Sequence, residues 1–266
     1  MSKRARALLV AVAVVLLGAQ GATAALVWQH TRPRLPPVAA ATAALEQAIA
    51  AVVGAAGDQA AAAVSGLVPY TSCENTFLAR GSRYNRSADL YTDPGAEAAL
   101  IDRIAAHLPA DDHPQRVAPT GTSPAPLTAS FGPVQVRVAE LGQGWVEAFA
   151  ESACRGGRPP APPRAGSDAS AQATIAHLLG SLGTRVQSSR SDVLGCPAGR
   201  ITTVSALSDP TSTDQLATRV APLVPTGARQ FRAPANRLSW RVGSESVVVA
   251  ASDDGTHVTV QDTTLC

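Results

Sequence analysis

Apolar residues recur along this chain with two periods, which divide it into helices and strands. The run Ile49 to Gly57, Ile-Ala-Ala-Val-Val-Gly-Ala-Ala-Gly, reads as a helix that stops at a glycine. Ile175 to Gly183 repeats it without a gap, with four identities in nine positions. Leu100, Ile104, Ala105 and Leu108 recur at helical spacing between Asp93-Pro94 and Pro109, as do Leu216, Val220, Ala221 and Val224 between Asp209-Pro210 and Pro225. An Asp-Pro pair favours a turn into a helix and a closing proline cannot continue one, so a second helix is predicted in each half. Alternation takes over later. In Val134 to Cys154, Val-Gln-Val-Arg-Val and Trp-Val-Glu-Ala-Phe flank Gly142-Gln143-Gly144, and in Ser246 to Cys266, Val247 to Ala251 and His257-Val-Thr-Val flank Asp253-Asp254-Gly255. Each predicts a β-hairpin that ends on a cysteine.

The order helix, cysteine-bearing strand, helix, strands, hairpin, cysteine is thus kept twice, which points to an internal duplication. Mixed helices and mainly antiparallel strands in this order predict an α+β fold of two tandem related modules. Each is expected to pack two helices on a four- or five-stranded sheet. The expected boundaries are a membrane or signal segment over 1–28, a linker over 29–41, a first module over 42–154, a proline-rich linker over 155–170 and a second module over 171–266.

Ala7 to Trp28 carries no charge and is long enough to cross a hydrocarbon core of about 30 Å. Lys3, Arg4 and Arg6 precede it, which keeps the start in the cytoplasm and sends the rest outside. The expectation is a single-pass membrane anchor. The alternative is a signal peptide cleaved after Ala22-Thr23-Ala24. Both readings export the chain. Arginine is abundant and Lys3 is the only lysine, a bias typical of high-GC bacterial coding. The formal charge of +2 comes from the three basic residues before the apolar run, so the exported part is close to neutral and lacks the basic surface that a nucleic-acid partner needs.

The four cysteines, Cys73, Cys154, Cys196 and Cys266, all lie on the exported side, where disulfides persist, and none forms a C-x-x-C pair. The duplication predicts Cys73 with Cys154 and Cys196 with Cys266. Catalytic signatures are sparse. Gly180-Ser181-Leu182-Gly183 has the wrong spacing for a nucleophile elbow, and without a lysine after Lys3 the Ser-x-x-Lys enzymes and Schiff-base chemistry are excluded. His30, His107, His113, His177 and His257 include no i, i+4 pair, so no metal or other cofactor is expected. Asp111-Asp112-His113 is the one carboxylate and imidazole cluster, and it reads as a polar loop after Pro109.

The segment that looks specialised is Arg80, Arg83, Tyr84, Asn85 and Arg86. It falls where the first half is longer: 20 residues separate Cys73 from Asp93, but 13 separate Cys196 from Asp209. Forked donors beside an aromatic ring suit an anionic or protein partner, and the segment is expected to be exposed. These readings together predict a membrane-anchored cell-envelope protein with a non-catalytic binding or scaffolding role, toward a protein or anionic envelope partner. An envelope hydrolase or transferase acting on wall or peptide substrates, or a sensor holding a small ligand between its modules, are the alternatives.

Overall fold

A computed structural model describes residues 35–76, 79–118, 125–157, 168–232 and 236–266. The expected anchor over Ala7 to Trp28 and most of the proline-rich linker lie outside the described residues. Within them the chain is α+β, with four helices and two antiparallel sheets.

The first helix, α1 (Ala39–Ala56), is alanine-rich and so has high helical propensity. By length and composition it could cross a membrane, but here it is the central core helix. It ends where Gly57 takes a φ of 61°, a left-handed value that glycine adopts without a side-chain clash. The chain then makes β1 (Ala61–Val64), β2 (Val68–Thr76) and the long β3 (Ala79–Tyr91). Helix α2 (Glu97–His107) follows, then β4 (Gln115–Arg116), β5 (Leu127–Phe131), β6 (Val134–Gly142) and β7 (Trp145–Ser152). These strands form a seven-stranded sheet, hereafter sheet 1, in the order β1-β3-β7-β6-β5-β4, with β2 also paired to β3. The second half comprises α3 (Ala169–Ser181), β8 (Val186–Cys196), β9 (Gly199–Ser208), α4 (Leu216–Val220), β10 (Arg229–Arg232), β11 (Arg237–Val242), β12 (Glu245–Ala251) and β13 (Val258–Thr264). Its six strands form sheet 2, in the order β10-β11-β12-β13-β9-β8.

The sheets are larger than the four or five strands expected, because short edge strands such as β4 and β10 carry no apolar run that a periodicity search detects. The second helix of the second half is also shorter than its sequence pattern implied. Pro222 sits where α4 continues as a 3-10 turn over Ala221–Leu223, and Ser212 and Asp214 bond locally to each other before the helix starts. The hairpin after β12 turns over a six-residue loop, Ser252 to His257, rather than a tight Asp-Gly turn. The expected linker start at Arg155 also shifts. Arg155 is buried and pairs with Ser82 across β3, while Gly156 donates to the Pro36 carbonyl at 3.0 Å.

The disulfides join Cys73 to Cys154 and Cys196 to Cys266, one within each half. Two disulfides and an apolar N-terminal region are compatible with an exported or membrane-anchored protein.

One layer of packing crosses the halves. Helix α1 covers the inner face of sheet 1 through Leu45, Ile49, Val52 and Val53, and the same apolar cluster contains Leu194, Ile201 and Leu265 from the second half. Helix α3 covers sheet 2 with Ile175, Leu178 and Leu179 over Val247, Val249, Val258 and Val260. Strand β1 then packs Ala61 and Ala63 on Phe231 and Val248, on the other face of sheet 2. Because Ile49 is fully buried in the shared cluster, Ile49→Ala is expected to cost about 2–5 kcal/mol. Urea unfolding followed by circular dichroism and tryptophan fluorescence should show one shifted transition. Two separated transitions would mean that the halves unfold independently.

Candidate functional site

The arginine-bearing segment lies in β3, whose side chains alternate between the two faces of sheet 1. Only Arg80 and Arg83 of its five residues are exposed as expected. Tyr84 is buried, with its hydroxyl donating to the Gly157 carbonyl at 2.9 Å, and Arg86 is only 5% exposed. Arg86 pairs with Glu46 of α1 at 3.3 Å and donates to the Ser65 carbonyl, while Glu46 accepts from the Gly195 amide of β8 at 3.2 Å. Burial lowers the Arg86 pKa, and Glu46 and Asp192 oppose that shift. This arginine is therefore a structural tie between α1, sheet 1 and sheet 2. Asn85 is half-buried on the outward face of β3. Arg80, 87% exposed, pairs with Glu74 at 3.0 Å, and Arg83 pairs with Glu151 at 2.9 Å.

The other sequence candidate, Asp111 to His113, forms a 3-10 turn after α2 in which Asp111 and His113 are exposed. Burial raises the Asp112 carboxyl pKa, and Asp111 adds to the rise. Among the described residues no group of three or more His, Cys, Asp or Glu side chains is placed to hold a metal ion. His107 and His257 bond to backbone carbonyls through Nδ1 at 2.8 and 2.9 Å, and His177 is exposed on α3.

A different constellation emerges on the outward face of sheet 1. Register sets Tyr91 opposite Trp145, Asp89 opposite Glu147, Ser87 opposite Phe149 and Asn85 opposite Glu151. All these side chains face away from α1, since Leu90, Ala88, Val146, Ala148 and Ala150 fill the inner face. Of the eight aromatic residues among the described positions, Tyr70, Tyr91, Trp145 and Phe149 lie on this face, and Tyr84, Phe131, Phe231 and Trp240 are buried elsewhere. Tyr70, 58% exposed, meets Phe149 edge to face with ring centroids 5.3 Å apart. A trough of about 450 Å³ runs over Tyr70, Arg137, Glu140, Leu141, Glu147, Phe149 and Glu151.

At its other end the face enters a crevice of about 440 Å³ between the sheets, lined by Tyr91 and Trp145 on one side and by Arg237, Asn236, Thr259 and Gln261 on the other. Arg237 from β11 lies 4.5 Å over the Tyr91 ring and 5.4 Å from that of Trp145. Trp145 donates its indole N–H to Asp89 at 2.9 Å. Burial raises the Asp89 carboxyl, against the indole hydrogen bond and Arg237. Burial also raises Glu147, and the facing Asp89 adds to it while Arg137 opposes it. The Tyr91 hydroxyl rises too, through burial first and then Asp89. The arrangement can hold an aromatic or cationic group by stacking and charge. The periodicity of the chain carried a signal for it. Trp145-Val-Glu-Ala-Phe-Ala-Glu151 alternates in a strand, and its outward members are all aromatic or acidic.

A buried carboxylate off this face tests the electrostatics of the fold. Asp262 on β13 is 2% exposed beside the N-terminus of α3, and its pKa is pushed up to about 7 by burial, then by Glu245 and Asp168. The folded state therefore keeps a proton that the unfolded chain releases near pH 4. Stability attributable to this group should be full at low pH, fall as pH rises toward about 7 and level off above. The slope is at most about 1.4 kcal/mol per pH unit, and Asp262→Asn should remove it in urea titrations across that range. For the arginines, Arg86→Gln leaves Glu46 without its ion-pair partner in a half-buried setting and should cost about 3 kcal/mol. Arg80→Gln and Arg83→Gln, at exposed pairs, should each cost less than about 1 kcal/mol in the same assay.

No protein-family model matches the chain, and no curated protein and no solved structure matches it, so the meaning of this face rests on its own residues.

Proposed function

We propose that the chain is an exported bacterial envelope protein, anchored through Ala7 to Trp28, whose role is to bind a partner non-catalytically along the outward face of sheet 1. The observation that carries this reading is the aromatic pair Tyr70 and Phe149 on that face, Tyr70 exposed and Phe149 partly so over the trough, while Tyr91 and Trp145 on the same face pack toward the second half. Rings left on a sheet face forgo burial that would otherwise stabilise the fold, and large apolar groups on an open surface mark interaction sites.

The duplication belongs to the same proposal. In both halves a helix is followed by a cysteine-bearing strand at the sheet edge, and the strand orders β2-β3-β7-β6-β5-β4 and β8-β9-β13-β12-β11-β10 correspond position by position. The outward faces then diverge in use. That of sheet 2 receives β1, with the Val64 amide donating to Thr203 Oγ1 at 3.1 Å, whereas the trough on sheet 1 stays uncovered by any described residue. In this reading one copy became the support and the other the reader.

The crevice favours a second reading, a sensor that takes a small ligand between the halves, because its lining comes from both sheets. Shared packing around α1 opposes the hinge closure that such sensors use.

A photo-crosslinking residue at position 149 of the full chain in intact cells should capture a defined species, and the same residue at position 111, exposed in the turn after α2 and outside the trough lining, should not. Equal capture at both positions, or none at either, would remove the binding reading. In the same cells the protein should resist carbonate extraction and keep Met1 or Ser2 at its start. A mature start at Ala25 would replace the anchor by a cleaved signal peptide.

A further inference from the structure

The outward row of β7 runs Trp145, Glu147, Phe149, Glu151, aromatic and carboxylate by turns. With a rise of about 3.3 Å per residue, neighbours in the row stand ~7 Å apart and like members ~13 Å apart. An extended polypeptide has the same two-residue repeat, so side chains at its alternate positions meet this row in step.

The molecule already displays what one step of the row accepts. Arg237, arriving from the second half, lays its guanidinium over Tyr91 and Trp145 near the half-buried carboxylate of Asp89. The next step groups Phe149, its edge contact Tyr70 and Glu147, with Arg137 opposite Phe149 in the ladder but no guanidinium stacked over either ring among the described residues. Glu151 is held by Arg83, but Glu147 has no ion-pair partner within 4.0 Å among the described residues. Arg137, the one arginine lining the trough, acts on Glu147 only as a more distant charge. Glu147 also stands directly opposite Asp89 in the ladder, and like charges so placed are destabilising. A cation entering beside Phe149 relieves that repulsion and gains a ring face, with the net attraction strongest where water is partly excluded.

We propose that the trough on sheet 1 is a docking site for an extended basic segment of a partner protein, with arginine or lysine at alternate positions. One such side chain takes, beside Phe149 and Glu147, the place that Arg237 takes beside Trp145 and Asp89. The proposal rests on the reading of this face as the binding surface and adds the chemistry of what binds. A neutral glycan, the other natural occupant of an aromatic trough, leaves the facing carboxylates unrelieved.

The test uses the full chain in detergent micelles and a capped peptide of alternating arginine and serine, roughly ten residues long to span the row. Isothermal titration should show saturable binding that weakens as salt is raised. Glu147→Gln and Phe149→Ala should each weaken it by about tenfold, and Asp111→Asn should leave it unchanged. The alternating glutamate and serine peptide should not bind. Glu147→Gln should also leave thermal stability equal or slightly higher, since it removes a like-charge pair, so that lost binding cannot be blamed on unfolding. The proposal is overturned if the basic peptide fails to saturate, or if its affinity ignores both substitutions. It is also overturned if a neutral oligosaccharide binds in a manner that depends on Phe149 but not on Glu147. That last result leaves the face as a binding surface with a different ligand, whereas loss of the position-149 crosslink in cells would remove the surface itself.

Discussion

The structure depends on one helix having to satisfy two sheets. Helix α1 is the cover for the inner face of sheet 1, and it also meets Leu194, Ile201 and Leu265 of the second half, next to the bond between Cys196 and Cys266. A polar tie crosses the same seam. Glu46 receives the Arg86 guanidinium from one side and the Gly195 amide from the other. A buried ion pair contributes little net stability against a hydrophobic alternative, but it is costly to break, and that makes it a device for fixing register. With α1 placed, the halves share a core and their mutual orientation follows.

That orientation sets which surfaces remain available. Strand β1 pairs with only the last residues of β3, and the chain breaks at Ser65 before β2 resumes along the same edge. The break is stabilised locally, because Ser65 accepts from the Ser87 amide and from Arg86. It lets β1 present Ala61 and Ala63 to sheet 2, where alanine side chains allow close approach to Phe231 and Val248. The outward faces of the two sheets therefore meet at β1 and separate beyond it, which forms the crevice at Arg237 and leaves the row on β7 open. Covering one outward face and exposing the other are two consequences of a single strand break.

Much of this was legible in the sequence wherever the apolar pattern was local. The glycine that ends α1, the hairpin across Gly142 to Gly144 and the alternation in β6 and β7 follow from periods of 3.6 and 2 and from turn chemistry. The arginine segment misled because composition was read without the period. Arg83, Tyr84, Asn85 and Arg86 are consecutive in a strand, so they face alternately outward and inward, and only tertiary packing reveals that inward Arg86 meets Glu46 and inward Tyr84 meets the Gly157 carbonyl. The short α4 and the edge strands β4 and β10 were hidden for a related reason. Their geometry is imposed by proline and by sheet edges rather than by an apolar repeat.

The candidate site was hidden in a different way. Each member of Trp145, Glu147, Phe149 and Glu151 is ordinary in a hairpin strand taken alone. The meaning of the row comes from what stands opposite. Ladder register brings Asp89 to face Glu147, and the packing of the second half brings Arg237 onto Trp145. A strand selected only for stability would place opposite charges or β-branched residues across from one another. Two carboxylates facing each other between two aromatic rings is a local inconsistency, and such inconsistencies concentrate where a sequence is answering to something other than its own fold. The inner positions beside this pair, Leu90, Ala88, Val146, Ala148 and Ala150, are all buried and apolar, so at this point of the ladder the departure lies on the outward face alone.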